Sequence, residues 1–203
     1  MLRAAIALAD EGGIKALSMR RLAQQLDVEA MSLYNHVANK DDILDGMIEL
    51  VAGDFDLALD ADDWRTATRR RATSAHQVLS RHAWAAAIWM SSQSFGPERM
   101  RFSDAVLRGF REGGFSDDLT YHAFHVVQSH ILGYTLYLSS FQIDVGDLKE
   151  FAAAFLEAFP ADQHPDLAEH IGQHMEPHEG HQGTFEFGLE LILDGLERLR
   201  DPH

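Results

Sequence analysis

The side chains with the clearest chemical use in this sequence are cations and hydrogen-bonding groups gathered between residues 18 and 40. Arg20, Arg21 and Lys40 carry positive charge. An arginine can donate two hydrogen bonds to a guanine edge, and a lysine can neutralise a phosphate. The hydrogen-bonding groups close to them are Ser32, Tyr34, Asn35 and His36. Presented together on short helices, side chains of these types are suited to binding double-stranded DNA.

Two short helices joined by a tight turn are predicted to present these groups. Ser18 suits the start of the first helix, because its hydroxyl can accept from a free backbone N–H group. Asp27 falls at the break, where a left-handed residue is usual, and Val28 is expected to pack under the turn. The apolar positions of the first helix are Leu22, Ala23 and Leu26. A second helix over about 29–36, burying Leu33, completes a helix-turn-helix, a motif whose second helix can enter the major groove.

This segment resembles the DNA-binding domain of the tetracycline-repressor family of bacterial regulators. The family signature is a small polar cap, an Arg-x-Leu-Ala helix, a Gly-Val turn, a recognition helix ending Leu-Tyr-x-His and a polar-Lys step. The matching residues here are Ser18, Arg20 to Ala23, Asp27-Val28, Leu33 to His36 and Asn39-Lys40. The sequence departs from the signature only at Asp27, where Gly is usual. A second stretch, Phe185 to Glu197, is similar to the last helix of the family's tetracycline repressors.

The resemblance implies operator DNA as a partner and gives roles to single residues. Arg20 matches an arginine that reaches a base edge, with a phosphate contact or a solvated charge as alternatives. Tyr34 matches a phosphate-contacting residue, and Lys40 matches a lysine that meets a phosphate at the start of the fourth helix. Met31 and Asn35 change the reading surface, so a different operator is expected. The predicted DNA-contacting set is Ser18, Arg20, Arg21, Glu29, Ala30, Met31, Ser32, Tyr34, Asn35, His36 and Lys40.

An effector pocket is predicted in the remaining helices. Tyr121, Phe124 and Gln128 share one face of a long helical pattern, and the resemblance places them in the family's pocket, with core packing as the alternative. Arg71 matches a polar position that grips ligand, although the run 69–71 is also typical of solvated charge. The predicted pocket is Arg71, His76, Trp89, Ser92, Phe102, Phe110, Tyr121, Phe124 and Gln128. An aromatic lining with few polar anchors is usual in small-molecule sites.

Tetracycline with Mg²⁺ is not the expected effector. The resemblance requires a metal-binding histidine between the fifth and seventh helices, but no histidine lies between His82 and His122, and Ser92 is the nearest match. A drug-contacting histidine of the fourth helix is missing as well, since none lies between His36 and His76. The sequence therefore predicts another small molecule, largely apolar or aromatic.

The last helical pattern, over 184–200, predicts a dimer interface. Its stripe of Leu189, Ile192, Leu196 and Leu199 is too apolar for solvent. Paired with the helix predicted over about 116–142, two such helices per chain can form a four-helix bundle. A two-fold homodimer would fit a palindromic operator with half-sites about 34–36 Å apart.

The histidine-rich segment 164–181 offers a rival function. His170 and His174 are four residues apart, and two neutral imidazoles one helical turn apart can share a Zn²⁺ ion. The spacing alone is a weak signal, and a solvated surface segment or pH-sensitive contacts are the other interpretations. The alternative is thus a metal-responsive regulator or a metal-dependent protein.

Composition limits the class of protein. The 203 residues carry a formal net charge of −15, which disfavours non-specific nucleic-acid binding, so one surface is expected to contact DNA. The lack of cysteine excludes disulfides and fits a reducing cytoplasm. No apolar run approaches the roughly 18 residues of a membrane helix, and no membrane partner is expected. No nucleophile–base pair or phosphate loop indicates an enzyme, and no cofactor is expected.

Helical periodicity runs along the chain, and nothing has the pattern of a strand. We therefore expect an all-α protein with a helix-turn-helix domain at 1–45 and a larger helical effector-binding and dimerisation domain at 46–203. The predicted helices outside the helix-turn-helix span about 1–12, 40–58, 64–82, 83–90, 97–112, 116–142, 147–159 and 184–200. Together, the patterns predict a ligand-responsive transcriptional repressor of the cytoplasm.

Overall fold

The computed structural model describes residues 1–92, 94–140, 153–156, 160, 162–173 and 183–201, and this part of the chain contains helices and no strand. The predicted all-α class is confirmed. The helices are α1 Leu2–Gly12, α2 Met19–Gln25, α3 Ala30–Leu33, α4 Lys40–Ala52, α5 Trp64–Arg81, α6 Ala85–Ser91, α7 Pro97–Glu112, α8 Asp117–Ser140, α9 Pro165–Gln173 and α10 Thr184–Arg200. None of these helices is long and apolar enough to cross a membrane.

The chain divides into two compact units. Residues 1–139 and 184–203 form the first, and residues 140–183 form the second. In the described part of the second unit, residues 153–156 are helical and α9 follows. The helix predicted over 147–159 otherwise lies outside the described residues.

Four helices of the first unit start where local chemistry predicts. Ser18, Asn39 and Asp63 each accept a hydrogen bond from the backbone N–H three residues later, at 3.2, 3.0 and 2.8 Å. These side chains satisfy donors that a helix leaves free in its first turn. Pro97 opens α7, where its missing N–H costs nothing. The starts of α2, α4, α5 and α7 are therefore encoded locally.

The turn after α2 closes through its backbone. Asp27 is left-handed, with φ 54°, as predicted. The N–H of Val28 donates to the carbonyl of Ala23 at 3.0 Å, and the N–H of Asp27 donates to Gln24 at 3.2 Å. These two bonds make the Schellman ending of a helix. The prediction that Val28 packs under the turn is wrong, because backbone bonds close the turn and leave its side chain 45% exposed.

Two helices are shorter than their sequence patterns suggest. α3 ends at Leu33, which is buried as predicted, and tight turns continue to His36, whose N–H donates to the Leu33 carbonyl at 2.9 Å. α4 ends at Ala52, before the predicted 58. Ala58 has a φ of 46°, which an α-helix cannot contain. In both cases the helical pattern of the sequence continues beyond the residue at which the backbone leaves the α-helical conformation.

The core of the first unit is built around α4, α5 and α7. α4 packs against α1, α6 and α7, and α5 packs against α7 and α10. Phe102, near the start of α7, lies against Phe55 with ring centroids 5.1 Å apart. Near its end, Phe110 packs on Phe115 at 5.1 Å, and Phe115 meets Trp64 at 4.8 Å. α7 is thus held by aromatic contacts at both ends.

An ion-pair cluster joins α5 to α10. Arg69 Nη2 donates to Glu190 Oε2 at 2.9 Å, and Arg65 Nη2 donates to the same oxygen at 2.7 Å. Arg65 also pairs with Asp194 and Glu197. The hydrogen bond from Arg69 is the main cause that lowers the pKa of Glu190 to about 2. Arg69 is therefore a structural residue and not a solvated charge.

We expect Asp27→Gly to stabilise the protein. Glycine adopts the left-handed conformation without a Cβ clash, although it also makes the unfolded chain more flexible. The free energy of unfolding should rise by about 0.5–1 kcal/mol, measured by urea denaturation. Asp27→Asn is the matched control, because it removes the charge and keeps a Cβ. An equal gain in both variants would assign the effect to charge and not to the backbone.

Glu190→Gln should lower the free energy of unfolding at pH 7 by about 1–2 kcal/mol. The folded-state pKa is about 2 and the ordinary value is 4.5. The carboxylate therefore stabilises the fold fully above pH 4.5, and this contribution is lost as the pH falls towards 2. Denaturation at pH 7, 4 and 3 should show the two proteins converging. Glu197→Gln, which removes an ion pair to Arg65, is the control and should have a smaller effect. A pH-independent difference would contradict the assignment.

Candidate functional site

The predicted DNA-contacting side chains lie mainly on the exposed surface of α2, α3 and the turn that follows. Those exposed are Ser18, Arg20, Arg21, Glu29, Met31, Tyr34, Asn35 and His36, and those partly buried are Ala30, Ser32 and Lys40. Met31 is the most open apolar side chain here, at 74%. α2 and α3 pack against each other, so these groups occupy adjacent elements. Two hydroxyls are already used in the fold: Ser18 caps α2, and Ser32 donates to the Glu29 carbonyl at 2.7 Å.

The cations of this surface differ in how they are held. Among the described residues, no carboxylate pairs with Arg20 or Arg21, in contrast to Arg65 and Arg69. Lys40 Nζ donates to the carbonyl of Ile14 at 3.4 Å, which fixes the ammonium at the start of α4. The arginines are therefore free to reach a ligand, and the lysine is presented in one place.

The start of α4 is partly satisfied by its own side chains. Asn39 Oδ1 accepts from the N–H of Asp42, and Asp42 Oδ2 accepts from the N–H of Ala38 at 2.7 Å. A phosphate arriving here would meet the Lys40 ammonium and a nearby carboxylate, and the Asp42 N–H would already be bonded. The Lys40 ammonium, more than the helix end, is thus the group that remains available to an anion at this place.

One cleft lies between α5, α7 and the segment before α5. Its volume is about 530 Å³, and its walls include Trp64, Ala67, Ala105 and Gly109, with Arg71 among them. This size is in the range of small-molecule sites, about 300–1,000 Å³. Of the nine residues predicted for the pocket, only Arg71 lines this cleft.

Arg71 is a buried and incompletely bonded cation. Its side chain is 5% exposed, and Nε donates to the Leu57 carbonyl at 2.7 Å. Nη1 is buried and has no hydrogen-bond acceptor among the described residues. Burial lowers the pKa of the guanidinium, because water no longer stabilises its charge. Gly109 allows this position, since a Cβ there would lie 2.5 Å from Nη1.

Three predicted pocket aromatics belong to the core. Trp89 and Phe102 pack around Phe55, and Phe110 packs between Trp64 and Phe115. All three predicted residues are buried by these protein contacts. Their rings fill the interior on either side of α7, and none of the three is among the residues that line the cleft beside Arg71.

His76 lies at another seam, where α5 meets α8 and α10. Its ring stacks on Phe185 with centroids 4.0 Å apart, and Nδ1 is 2.8 Å from Thr135 Oγ1. Burial lowers the pKa of the imidazole, with Glu186 opposing and His130 adding to this effect. His76 is thus held neutral in a packed seam, and it is not among the residues that line the cleft.

The predicted pocket residues on α8 are also not among those that line the cleft. Tyr121 is exposed, with its ring 4.5 Å from that of His125, and Phe124 and Gln128 are partly buried. Phe124 packs against the edge of the core. The structure therefore does not bring these three residues together with Arg71.

The sequence analysis missed a buried link between α4 and α7. Glu49 Oε1 accepts from Arg99 Nε at 3.0 Å, and Oε2 accepts from the N–H of Glu98 at 2.7 Å. Arg99 is 1% exposed, and its guanidinium lies 5.6 Å from the centroid of the Trp89 ring. A Cβ at Gly96 would lie 2.2 Å from the Glu49 carboxyl carbon. In the local sequence, the dipeptide Gly96-Pro97 marks the start of α7, and the glycine is compatible with a close approach by another side chain.

Ser92, a predicted pocket residue, belongs to the same link. Its hydroxyl donates to Asp45 Oδ1 at 2.7 Å and accepts from Arg99 Nη2 at 3.2 Å. Asp45 lies on α4, one helical turn before Glu49. Ser92 therefore joins α4 to α7 instead of facing the cleft beside Arg71.

The predicted dimer stripe on α10 is corrected in its residues. Leu189 and Leu196 are buried in the protomer's own core, and Ile192 is partly buried against it. Leu199 alone is open to solvent, at 64%. The inward stripe covers α5 and α8, so another face of α10 is exposed. That face, which we call the outer stripe, is Phe187, Leu191, Gly195 and Leu199.

The histidine-rich segment gives the metal alternative no support among the described residues. His170 lies on α9, whereas His174, His178 and His181 fall outside the described part. In that part, no three His, Asp or Glu side chains are grouped so that they could hold a metal ion.

Comparison with known proteins covers nearly the whole chain. Residues 1–47 match the family model described as bacterial regulatory proteins, tetR family. Residues 58–200 match the model described as tetracyclin repressor-like, C-terminal domain. The HTH-type transcriptional repressor DrrR1 of Streptomyces coeruleorubidus is 31% identical over 209 residues, which cover 98% of this chain and 76% of that protein.

Two crystal structures share the whole fold. One is a possible TetR family transcriptional regulator from Streptomyces coelicolor A3(2), with 32% identity and a TM-score of 0.81, covering 98% of this chain and 97% of that one. The other is the Streptomyces coelicolor TetR family protein ActR in complex with actinorhodin, with 27% identity, a TM-score of 0.78 and coverages of 98% and 95%. With an exposed helix-turn-helix at one end and the tetracyclin repressor-like domain following it, the chain belongs to the tetR family of bacterial regulatory proteins.

Proposed function

We propose that this protein is a homodimeric transcriptional repressor that binds a palindromic operator and releases it when a small molecule enters the cleft beside Arg71. The observation that carries this proposal is that α7 lines the cleft and is also bonded to α4, the helix that begins at Lys40. The second half of α7 lines the cleft at Ala105 and Gly109, and its start is bonded to α4 through Glu49. α4 in turn begins at Lys40, directly after the turn that follows α3.

The switch follows from these contacts. A ligand between α5 and α7 pushes the two helices apart at the level of Arg71 and Gly109. Because the start of α7 is hydrogen-bonded to Glu49, this displacement reaches α4. α4 carries the recognition helix at its N-terminal end, so a small rotation changes the spacing of the two recognition helices in a dimer. The complex of the related ActR with actinorhodin supports a ligand response in this fold.

Electrostatics limit where DNA can bind. With a formal net charge of −15, most of the protein repels phosphate, and specific binding depends on a few cations. Arg20 and Arg21 on α2 have no carboxylate partner among the described residues, and Lys40 at the start of α4 donates to the carbonyl of Ile14. This arrangement supports one DNA-contacting surface with base reading by Arg20 and phosphate contact by Lys40.

The outer stripe of α10 supports the dimer. Leu191 and Leu199 lie two helical turns apart, with Gly195 between them, and within the described part of the chain no neighbouring atom would lie within 4 Å of a Cβ at Gly195. A small residue between exposed leucines lets a second helix approach closely. α8 exposes Val126 and has a similarly open Gly133. Two such helices per chain would bury both stripes in a four-helix interface.

The regulator is not an enzyme in this proposal, and it works in the cytoplasm, where its operator lies. Its effector binds and leaves unchanged. Ligand and operator must therefore weaken each other's binding by the same factor, typically about 5–150-fold.

Arg20→Ala and Lys40→Ala should weaken DNA binding in different ways. The operator is first selected from random duplexes with the wild-type protein. Losing Arg20 should relax preference at one base position per half-site, by about 1–3 kcal/mol of discrimination. Losing Lys40 should weaken all duplexes alike and reduce the salt slope by about one per phosphate contact. Fluorescence anisotropy across salt concentrations measures both, and identical behaviour of the two variants would contradict these roles.

Leu191→Glu should convert the dimer to a folded monomer. A carboxylate placed in the outer stripe would be buried without a partner in the dimer, whereas it is solvated in the monomer. Sedimentation at micromolar concentration measures the mass, and circular dichroism checks the helix content. Leu167→Glu on α9 changes another exposed leucine, which lies outside the stripe; it is the control and should remain a dimer. A dimeric Leu191→Glu variant would show that the subunits meet elsewhere.

A further inference from the structure

We propose that the cleft beside Arg71 binds a hydrophobic carboxylic acid whose carboxylate accepts hydrogen bonds from the Arg71 guanidinium. This inference rests on the proposed effector site and adds the chemical class of its ligand. It depends on three features of the site, namely a buried cation without a carboxylate partner among the described residues, buried apolar side chains in the wall, and a glycine that leaves room for the cation.

The charge of Arg71 lacks the partner that its neighbours have. Arg65, Arg69 and Arg70, on the same helix, all pair with carboxylates at 3.0 Å or less. Arg71 donates from Nε to a neutral carbonyl, that of Leu57, and its buried Nη1 has no acceptor among the described residues. Burying a charge without a partner is costly, so an anion that enters the cleft gains more here than at the surface.

The surroundings of Arg71 do not already neutralise it. Asp56 and Glu112 favour the charged form of the guanidinium, whereas Arg108 and Arg70 oppose it. The two acids have the larger effects of the four groups, but burial outweighs them and lowers the pKa of Arg71. A ligand carboxylate would supply the missing counter-charge.

The lining of the cleft combines buried apolar side chains with exposed charged ones, which include Arg108 as well as acids. Trp64, Ala67 and Ala105 are buried wall residues, whereas Asp62 and Glu112 are exposed. Exposed carboxylates are screened by water and salt, and a buried guanidinium is not. Asp63, a third acid of the lining, already accepts from the Thr66 N–H as the cap of α5. An acid with an apolar body can therefore pass the exposed charged groups, cover the wall and reach Arg71.

Gly109 leaves the space that the guanidinium occupies. Because a Cβ at residue 109 would lie 2.5 Å from Nη1, any larger side chain must displace the guanidinium. Gly109→Ala thus moves the charge without removing it. This variant tests the geometry separately from the charge.

The test compares acids with neutral molecules of the same shape. The probes are 2-naphthoate and 2-naphthamide, with anthracene-2-carboxylate and its amide as a larger pair, titrated by calorimetry. In the wild-type protein, each acid should bind about 10-fold or more tightly than its amide. Arg71→Gln should abolish that preference, and Gly109→Ala should reduce it. Arg111→Gln removes an exposed cation of α7 outside the cleft and should keep it.

The outcomes decide the inference. It is overturned if acid and amide bind alike, if the preference persists in Arg71→Gln, or if neither acid binds at millimolar concentration. Circular dichroism checks that each variant is folded. If Arg71→Gln does not fold, the comparison of Gly109→Ala with the wild-type protein still tests the inference.

A parallel measurement of operator release separates this inference from the proposed function. Acids that bind through Arg71 and leave the operator bound would support the ligand class and contradict the switch. Amides that bind equally and release the operator would support the switch and overturn the ligand class.

Discussion

The buried ion pair between Glu49 and Arg99 is the contact on which the arrangement of both sites depends. Arg99 is almost fully buried between the rings of Trp89 and Phe95, and the second Glu49 oxygen accepts from the first turn of α7. Removing one partner of such a pair leaves a buried charge and typically costs about 3–5 kcal/mol. α4, which begins at Lys40, and α7, which lines the cleft, are therefore joined by a contact that is strongly destabilised when either partner is removed.

Features set by neighbouring residues could be predicted from the sequence. Ser18, Asn39 and Asp63 cap their helices because a short polar side chain needs only the next turn as a partner. Asp27 adopts the left-handed conformation for a similar local reason. The bounds of α10 also agree with the pattern. Which of its faces is buried depends on distant helices, and Leu189 was therefore placed on the wrong side.

The residues of the proposed effector site were still harder to predict from the sequence, because they depend on contacts between distant helices. An aromatic side chain such as Trp89 or Phe102 suits a pocket lining and a core equally well, and only the position of α7 decides between them. Arg71 was found through resemblance to a family position. The surroundings of its guanidinium are set by the carbonyl of Leu57, which accepts from Nε, and by Gly109, which leaves room for Nη1. Both residues are distant in sequence and come close to Arg71 only in the folded protein. Glu49 and Arg99 are 50 residues apart in sequence, and a pair so distant produces no periodic pattern from which it could be predicted.

The hydrogen bond from Lys40 to the carbonyl of Ile14 links the ammonium that is proposed to contact a phosphate to another part of the protein. An ammonium has three N–H donors, and one of them is directed at the loop between α1 and α2. A phosphate that takes the others would connect the DNA backbone to that loop through a single nitrogen. Operator binding would then slow local opening at the end of α1, and amide hydrogen exchange there would report whether the protein is on its DNA. Slower amide exchange in the loop that precedes the helix-turn-helix, and not only within the motif, would then indicate that DNA is bound.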